Sequence, residues 1–403
     1  MKKQHLHLPT DRLGLGSLLM VAALVLLSAG CEGFFGKKLD PSFIDVPVYN
    51  DKQVAYVPIQ PVWDGFMHPV DVAIGYDELI YVADDVAEEI VCFDQSGVEL
   101  GRMSVPGVHV IAMDRSLDLV ALGTFDTLGT TLQAIYRIQM DNPDGYGLAH
   151  AQIQNKLLHP FYYKNSFAPN VDDQVKLNGL AFKADNSYFV TRSGNATSPV
   201  YGPDNAVVRF TSADDFESTV SVNTSLGILN DYFEFPVGIT TKAQPPQSPF
   251  VNTEFDFVFS SMSSNTQLKV QYINVIATEG GTDYLVEQFP TGDTAKAEGF
   301  LYTPNRFAAP VDVAYSGDGT NYIFVVDREK DSLYQFTNTG LEGVKAPAGS
   351  TSTKNIKVSF GGTGLGLTQF NEPSAVAYYD QIVYVADAGN RRVLRFKLTT
   401  DFD

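Results

Sequence analysis

Three carboxylates stand at equivalent places in near-identical runs. Asp84 closes IYVAD, Asp327 closes IFVVD and Asp387 closes VYVAD. Taken as a set they have the residue type that general acid–base or metal chemistry needs. Their repeating position argues for a different role. Each ends a strand-like run and precedes a small polar turn, whose N–H groups a carboxylate can accept. Histidine offers little more. Beyond the first thirty residues there are only His68, His109, His150 and His159, and they do not recur in phase. No G-x-S-x-G, Walker-type or H-E-x-x-H motif is present. Gly361–Gly366 is glycine-rich (GGTGLG), but no apolar helix pattern follows it, as a phosphate-cradling loop requires. One aromatic cluster falls in a long irregular stretch, where Leu158–Phe167 reads LHPFYYKNSF. His159, Tyr162 and Tyr163 there are candidate ligand contacts, able to stack on a sugar or anchor a partner protein. The alternative is that this stretch simply packs back onto the scaffold.

The elements that would position these residues are short strands in repeated units. Pro69–Asp94 (PVDVAIGYDELIYVADDVAEEIVCFD), Pro310–Phe336 and Pro373–Phe396 share one plan. Each has a Pro, an alternating strand, a polar turn, the run ending in Asp, a second turn, and a strand ending at Phe. Weaker copies occupy Val108–Met140, Leu177–Phe210 and Pro236–Val275, giving six units. A unit of three short strands cannot bury a core alone, so the copies must pack on one another. Val54–Ile59 alternates but lies outside any unit. We expect it to supply the outer strand of the last one, just where the chain ends, which removes an open sheet edge. Three insertions interrupt the pattern: Asp141–Val175, Gly194–Asn205 and the Pro-rich Thr241–Asn252, the last expected as an exposed loop.

The last unit resembles the NHL-repeat family of β-propellers. Phe360-Gly361, Phe370-Asn371-Glu372-Pro373, Tyr384-Val385-Ala386-Asp387 and Gly389-Asn390-Arg391-Arg392-Val393 follow that family's pattern, while the first unit lacks the Gly-Asn-x-Arg turn. The resemblance implies an all-β, six-bladed propeller, and Arg391 and Arg392 become turn and inter-blade contacts. Some propellers similar to this one are lactonases or peptide-amidating lyases with a metal in the central channel. The corresponding column of inner-strand residues reads Asp71, His109, Gly179, Gly238, Asp312 and Ala375, with His68, Asn178 and Glu372 in the alternative column. Asp71, His109 and Asp312 are therefore the candidate ligands for Ca²⁺ or Zn²⁺. The rest of the column does not match either enzyme family residue by residue.

The ends and the composition point to a compartment. Lys2, Lys3 and Arg12 precede an apolar run, Leu13–Gly30, and then Cys31. This reads as a bacterial lipoprotein signal with Cys31 as the lipidated residue. A transmembrane anchor is the other reading of an apolar run about eighteen residues long. The expected organisation is a signal peptide over 1–30, a tether over 31–46 and the propeller over 47–403. The net charge of −19 makes nucleic acid a poor partner. Cys92 has no disulfide partner once Cys31 is lipidated and reads as a small core residue. Asp126-Thr127-Leu128, Asp293-Thr294-Ala295 and Asp331-Ser332-Leu333 resemble the acceptor triplet of the O-glycosylation system of Bacteroidota. The expectation is a lipid-anchored protein of the cell envelope at the outer membrane. It acts as a non-catalytic binding or assembly module for an envelope protein or glycan and needs no cofactor. The alternative is a metal-dependent hydrolase or lyase working in the channel.

Overall fold

A computed structural model describes residues 53–402 apart from 128, 159–173, 195–203, 246–254 and 349. The chain divides into two units, Met1–Val48 and Tyr49–Asp403, and everything described lies in the second. That unit is a six-bladed β-propeller. Blade 1 comprises Pro69–Ile74, Ile80–Asp84, Glu89–Phe93 and Glu99–Ser104 from inside to outside. Blades 3 and 5 follow the same plan from Lys176–Phe182 and Pro310–Tyr315. In blade 2 the outer strand is Gln152–Leu158, after a short hairpin of Asp141–Asn142 with Gly145–Tyr146. The first insertion thus contributes a blade strand, and only its later part, with His159, Tyr162 and Tyr163, lies outside the described residues. Blade 4, starting at Pro236–Thr241, gains two strands at its outer edge, Val222–Thr224 and Gly227–Leu229.

Blade 6 is closed as expected. Its outermost strand is Tyr56–Trp63, antiparallel to Arg392–Leu398 with Tyr56 opposite Leu398 and Trp63 opposite Val393. The strand runs further than the alternation indicated, through Pro58 and Pro61. An outer strand tolerates proline because one row of its N–H groups faces no partner. Trp63 then locks the seam between the last and first blades. Its ring stacks on Phe93 of blade 1 at 4.9 Å and lies under the Arg395 guanidinium at 4.6 Å.

The repeated runs are legible because of where they sit. The second strand of each blade is covered on both faces by neighbouring blades, so IYVAD, IFVVD and IVYVAD are buried almost throughout. A strand buried on both faces reads as a continuous apolar run. Six hydrophobic clusters form, one at each seam between successive blades. Cys92 belongs to the cluster between blades 1 and 2, and burial pushes its thiol up to about 12, as fits a core residue. The carboxylates that close the runs are structural caps. Asp327 accepts N–H groups from Ala308, Ala309, Glu329 and Lys330, and Asp84 and Asp387 do the equivalent in their blades. Arg392 donates to Asp387 and to the carbonyls of Leu365, Gly366 and Gln369, which holds the glycine-rich loop between blades 5 and 6.

One expectation is corrected for its first residues, the remainder, 246–252, lying outside the described residues. Thr241–Pro245, at the start of the Pro-rich insertion, is not an exposed loop: Thr241, Ala243 and Pro245 are buried. The Tyr76 hydroxyl of blade 1 donates to Ala243 O at 2.8 Å, reaching the diametrically opposite blade. Among the described residues no helix is long and apolar enough to cross a membrane. Because Trp63 fills the closing seam, Trp63→Ala is expected to lower unfolding free energy by about 3–5 kcal/mol, and Trp63→Phe by clearly less. Equilibrium denaturation of the two variants checks this.

Candidate functional site

All inner strands start at one end of the propeller and run toward the other. We call the first the mouth and the second the floor. The channel between them encloses a cavity of about 460 Å³. Ala243, Gln244 and Pro245 line its floor, and His68, Asp85, Asn178, Phe235, Met262 and Arg328 lie toward its mouth.

The column of candidate metal ligands proves to be a ring of clasps between blades. Asp71 of blade 1 accepts the Ile111 N–H of blade 2 at 2.7 Å through Oδ2 and the Val72 N–H at 2.9 Å through Oδ1. His109 places Nε2 2.7 Å from Leu177 O of blade 3, and Nδ1 3.0 Å from Gly107 O. Asn178 Nδ2 donates to Pro236 O of blade 4 at 2.9 Å, and Thr191 Oγ1 to Val237 O at 2.6 Å. The Tyr315 N–H of blade 5 reaches Thr240 Oγ1 of blade 4 at 3.3 Å. Asp312 Oδ2 accepts the Val376 N–H of blade 6 at 2.9 Å. Ser374 Oγ donates to Pro69 O at 3.1 Å and closes the ring. Each of the six seams carries a side chain-to-backbone hydrogen bond at the channel wall.

The two glycines of the column follow from the same geometry. A Cβ on Gly179 would sit 2.3 Å from Val237 O, and one on Gly238 would sit 2.7 Å from Asp312 Cα. At those seams backbone meets backbone, and no side chain fits.

These contacts occupy much of the hydrogen-bonding capacity of the predicted set. A metal requires a ring nitrogen lone pair, and both nitrogens of His109 are directed at carbonyl oxygens. Asp71 and Asp312 are committed to backbone N–H groups. Among the described residues no three His, Cys, Asp or Glu side chains converge to hold a metal ion. Asp71, His109 and Asp312 thus share a channel, each held by backbone of a neighbouring strand. They are also not ordinary surface carboxylates. Burial pushes Asp71 up to about 6, against an ordinary value of 3.8. Burial pushes Asp312 well above the usual range too, and the charge of Asp71 adds to it.

The mouth holds what the column does not. His68 Nδ1 lies 2.7 Å from Asp85 Oδ1, an oriented imidazole–carboxylate pair in which both side chains are about one-third exposed. Arg328 is exposed and lines the same mouth from blade 5. His68 had appeared only in the alternative column, and Asp85 and Arg328 in none. A signal was present. Each directly follows the Asp that closes a repeated run, and that position turns the side chain toward the channel entrance. Cys31, His159, Tyr162 and Tyr163 lie outside the described residues.

No protein-family model matches this chain, and no curated protein matches it. The chain is similar in structure to virginiamycin B lyase from Staphylococcus aureus, at 12% identity over 85% of this chain and 100% of that one, TM-score 0.45. It is similar to a PQQ-bound aldose sugar dehydrogenase from Streptomyces coelicolor, at 11% identity over 86% and 98%, TM-score 0.49. It is also similar to a protein of unknown function from Bacteroides thetaiotaomicron, at 12% identity over 88% and 75%, TM-score 0.45. Identities and TM-scores this low carry no argument about this chain's chemistry.

Two outcomes follow from the clasps. Gly238→Ala forces backbone movement at the seam between blades 4 and 5 and is expected to destabilise the fold more than Gly280→Ala, whose added Cβ meets only Thr278 Oγ1 at 4.0 Å. Denaturation midpoints of the two variants check the order. The second concerns pH. A carboxyl whose folded pKa lies above its unfolded value contributes stability that is fully present below the unfolded value and lost as pH rises through the folded one. For Asp71 that window runs from about 4 to about 6. The wild type should therefore gain stability, relative to an Asp71→Asn/Asp312→Asn variant, as pH falls from 7 to 4. Melting temperatures across that range test the sign.

Proposed function

We propose that this chain is a non-catalytic binding module, a rigid propeller that presents its mouth end to a protein or glycan partner in the bacterial cell envelope. The observation that carries this reading is the ring of clasps: the polar side chains of the channel column hold blade to blade. The mouth end lies outside that ring. Met67, Val86, Phe235, Leu365 and Leu367 are all exposed in the connections and turns at that end. Exposed apolar side chains around a polar centre are the usual makings of an interaction surface. The chain enters the propeller at the other end, since Tyr56 pairs with Leu398 near the floor. The repeat resemblance, lipidation at Cys31 and placement at the outer membrane belong to this same proposal, supported by the Leu13–Gly30 run that precedes Cys31.

A second reading has one specific support. The His68–Asp85 pair at a cavity mouth has the geometry of an oriented general base, as a hydrolase or lyase would need. It would act at the entrance, away from Asp71, His109 and Asp312.

The two readings separate experimentally. Protein purified without residues 1–30 and immobilised is expected to retain a partner from detergent-solubilised envelopes. A Met67→Ser/Phe235→Ser variant should lose at least about tenfold of that capture. Turnover of a panel of lactones and esters by the wild type, abolished in His68→Asn, would replace the binding reading with the catalytic one. If glycan is the partner, substitution of Tyr162 and Tyr163 by Ala should remove glycan retention, and retention that survives loss of both rings discards that route.

A further inference from the structure

The geometry points to a specific ligand chemistry at the mouth: a monocarboxylate attached to an apolar group. This rests on the binding reading above and names what its central polar groups recognise. The starting observation is Arg328. The chain has 47 acidic residues against 28 basic ones, so arginines readily find a carboxylate. Arg102, Arg137, Arg209, Arg306 and Arg392 each do. Arg328 has no ion pair or side-chain hydrogen bond among the described residues. Only its backbone is held, by a bond from its N–H to Ala309 O at 2.9 Å. Arg328 is exposed and lines the cavity at its entrance.

The second observation lies two blades further round, on blade 1. Asp85 accepts from His68 Nδ1, which fixes the proton on that nitrogen and leaves Nε2 as the ring atom available to a ligand. Nε2 has no partner among the described residues. The planar fork of N–H donors on Arg328 matches a carboxylate, which takes two parallel hydrogen bonds from a guanidinium, while the lone pair on His68 Nε2 offers an acceptor to a hydroxyl or N–H elsewhere on a ligand. Val70, Phe235 and Met262 supply apolar wall beside these groups.

Charge decides between anions. Asp85 beside His68, together with the net charge of −19, makes the approach unfavourable for a dianion such as a phosphate monoester. A single negative charge seated on Arg328, with its apolar part against Phe235 and Met262, meets far less repulsion.

The test uses hexanoate, hexanamide and hexyl phosphate as probes of the folded protein. The readouts are calorimetry and the His68 ring proton signals in NMR. Hexanoate is expected to bind and shift the His68 signals, and the amide and the phosphate should bind at least about tenfold more weakly. Arg328→Gln should weaken hexanoate by a similar factor, and Arg328→Lys should restore part of it. Arg328 is exposed, so circular dichroism should show both variants folded. The assignment is overturned if hexanamide matches hexanoate, if hexyl phosphate binds more tightly, if Arg328→Gln binds hexanoate as the wild type does, or if hexanoate does not bind at millimolar concentration. Failure here is distinguishable from failure of the binding reading. Partner capture that persists in the wild type and is lost in Met67→Ser/Phe235→Ser leaves the module intact while the carboxylate assignment falls. Hexanoate binding alongside capture that ignores those two residues does the reverse.

Discussion

The molecule depends on closing a ring of six sheets, none of which is stable alone. Apolar burial between blades supplies most of the drive, through one cluster at each seam, but burial is not directional. What fixes the rotation of each blade against the next at the channel wall is the set of hydrogen bonds from one blade's side chain to its neighbour's backbone. Asp71, His109, Asn178, Thr240, Asp312 and Ser374 differ in chemistry but perform the same task. A buried N–H or C=O left without a partner is costly, so each clasp also satisfies backbone that the seam would otherwise strand. Gly179 and Gly238 complete the pattern from the opposite side, by letting strands approach where no side chain has room.

This constraint shapes where function can sit. The floor of the channel is lined by Ala243 to Pro245 with Tyr76 holding them. The mouth lies outside both the ring and the floor. His68, Asp85 and Arg328 stand just outside the ring, on positions that follow or precede strands rather than lie within them. Their backbone is held firmly: the N–H of His68 is capped by Asp84 and that of Arg328 bonds Ala309 O. The side chains are therefore well placed without being structurally required. Binding groups are commonly found on connections carried by a rigid scaffold.

Much of the fold was legible in the chain because the second strand of each blade is buried on both faces and so tolerates little variation. IYVAD, IFVVD and VYVAD are the trace of that environment, and their spacing implies the repeat. The closing strand was legible too, as a stray alternating segment at one end and a missing strand at the other. The weaker blades read less clearly because insertions and a six-stranded sheet obscure their period. The site was harder to read. Listing the inner-strand residues in a column treats them as equivalents pointing at one axis. Side chains in that column bend sideways to the next blade, which no spacing rule shows.

The sequence by itself determined the architecture: six units, their order, the strand that closes them, and the structural role of the carboxylates ending each run. Periodicity and burial follow from local pattern, so they survive the loss of three-dimensional information. Only the tertiary structure decided which polar residues hold the ring and which are left free. Asp71 and Asp312 look like ligands in the sequence and Arg328 looks like a turn residue. The distinction comes from partners about forty to seventy residues away, brought within hydrogen-bond distance by the closing of the blades.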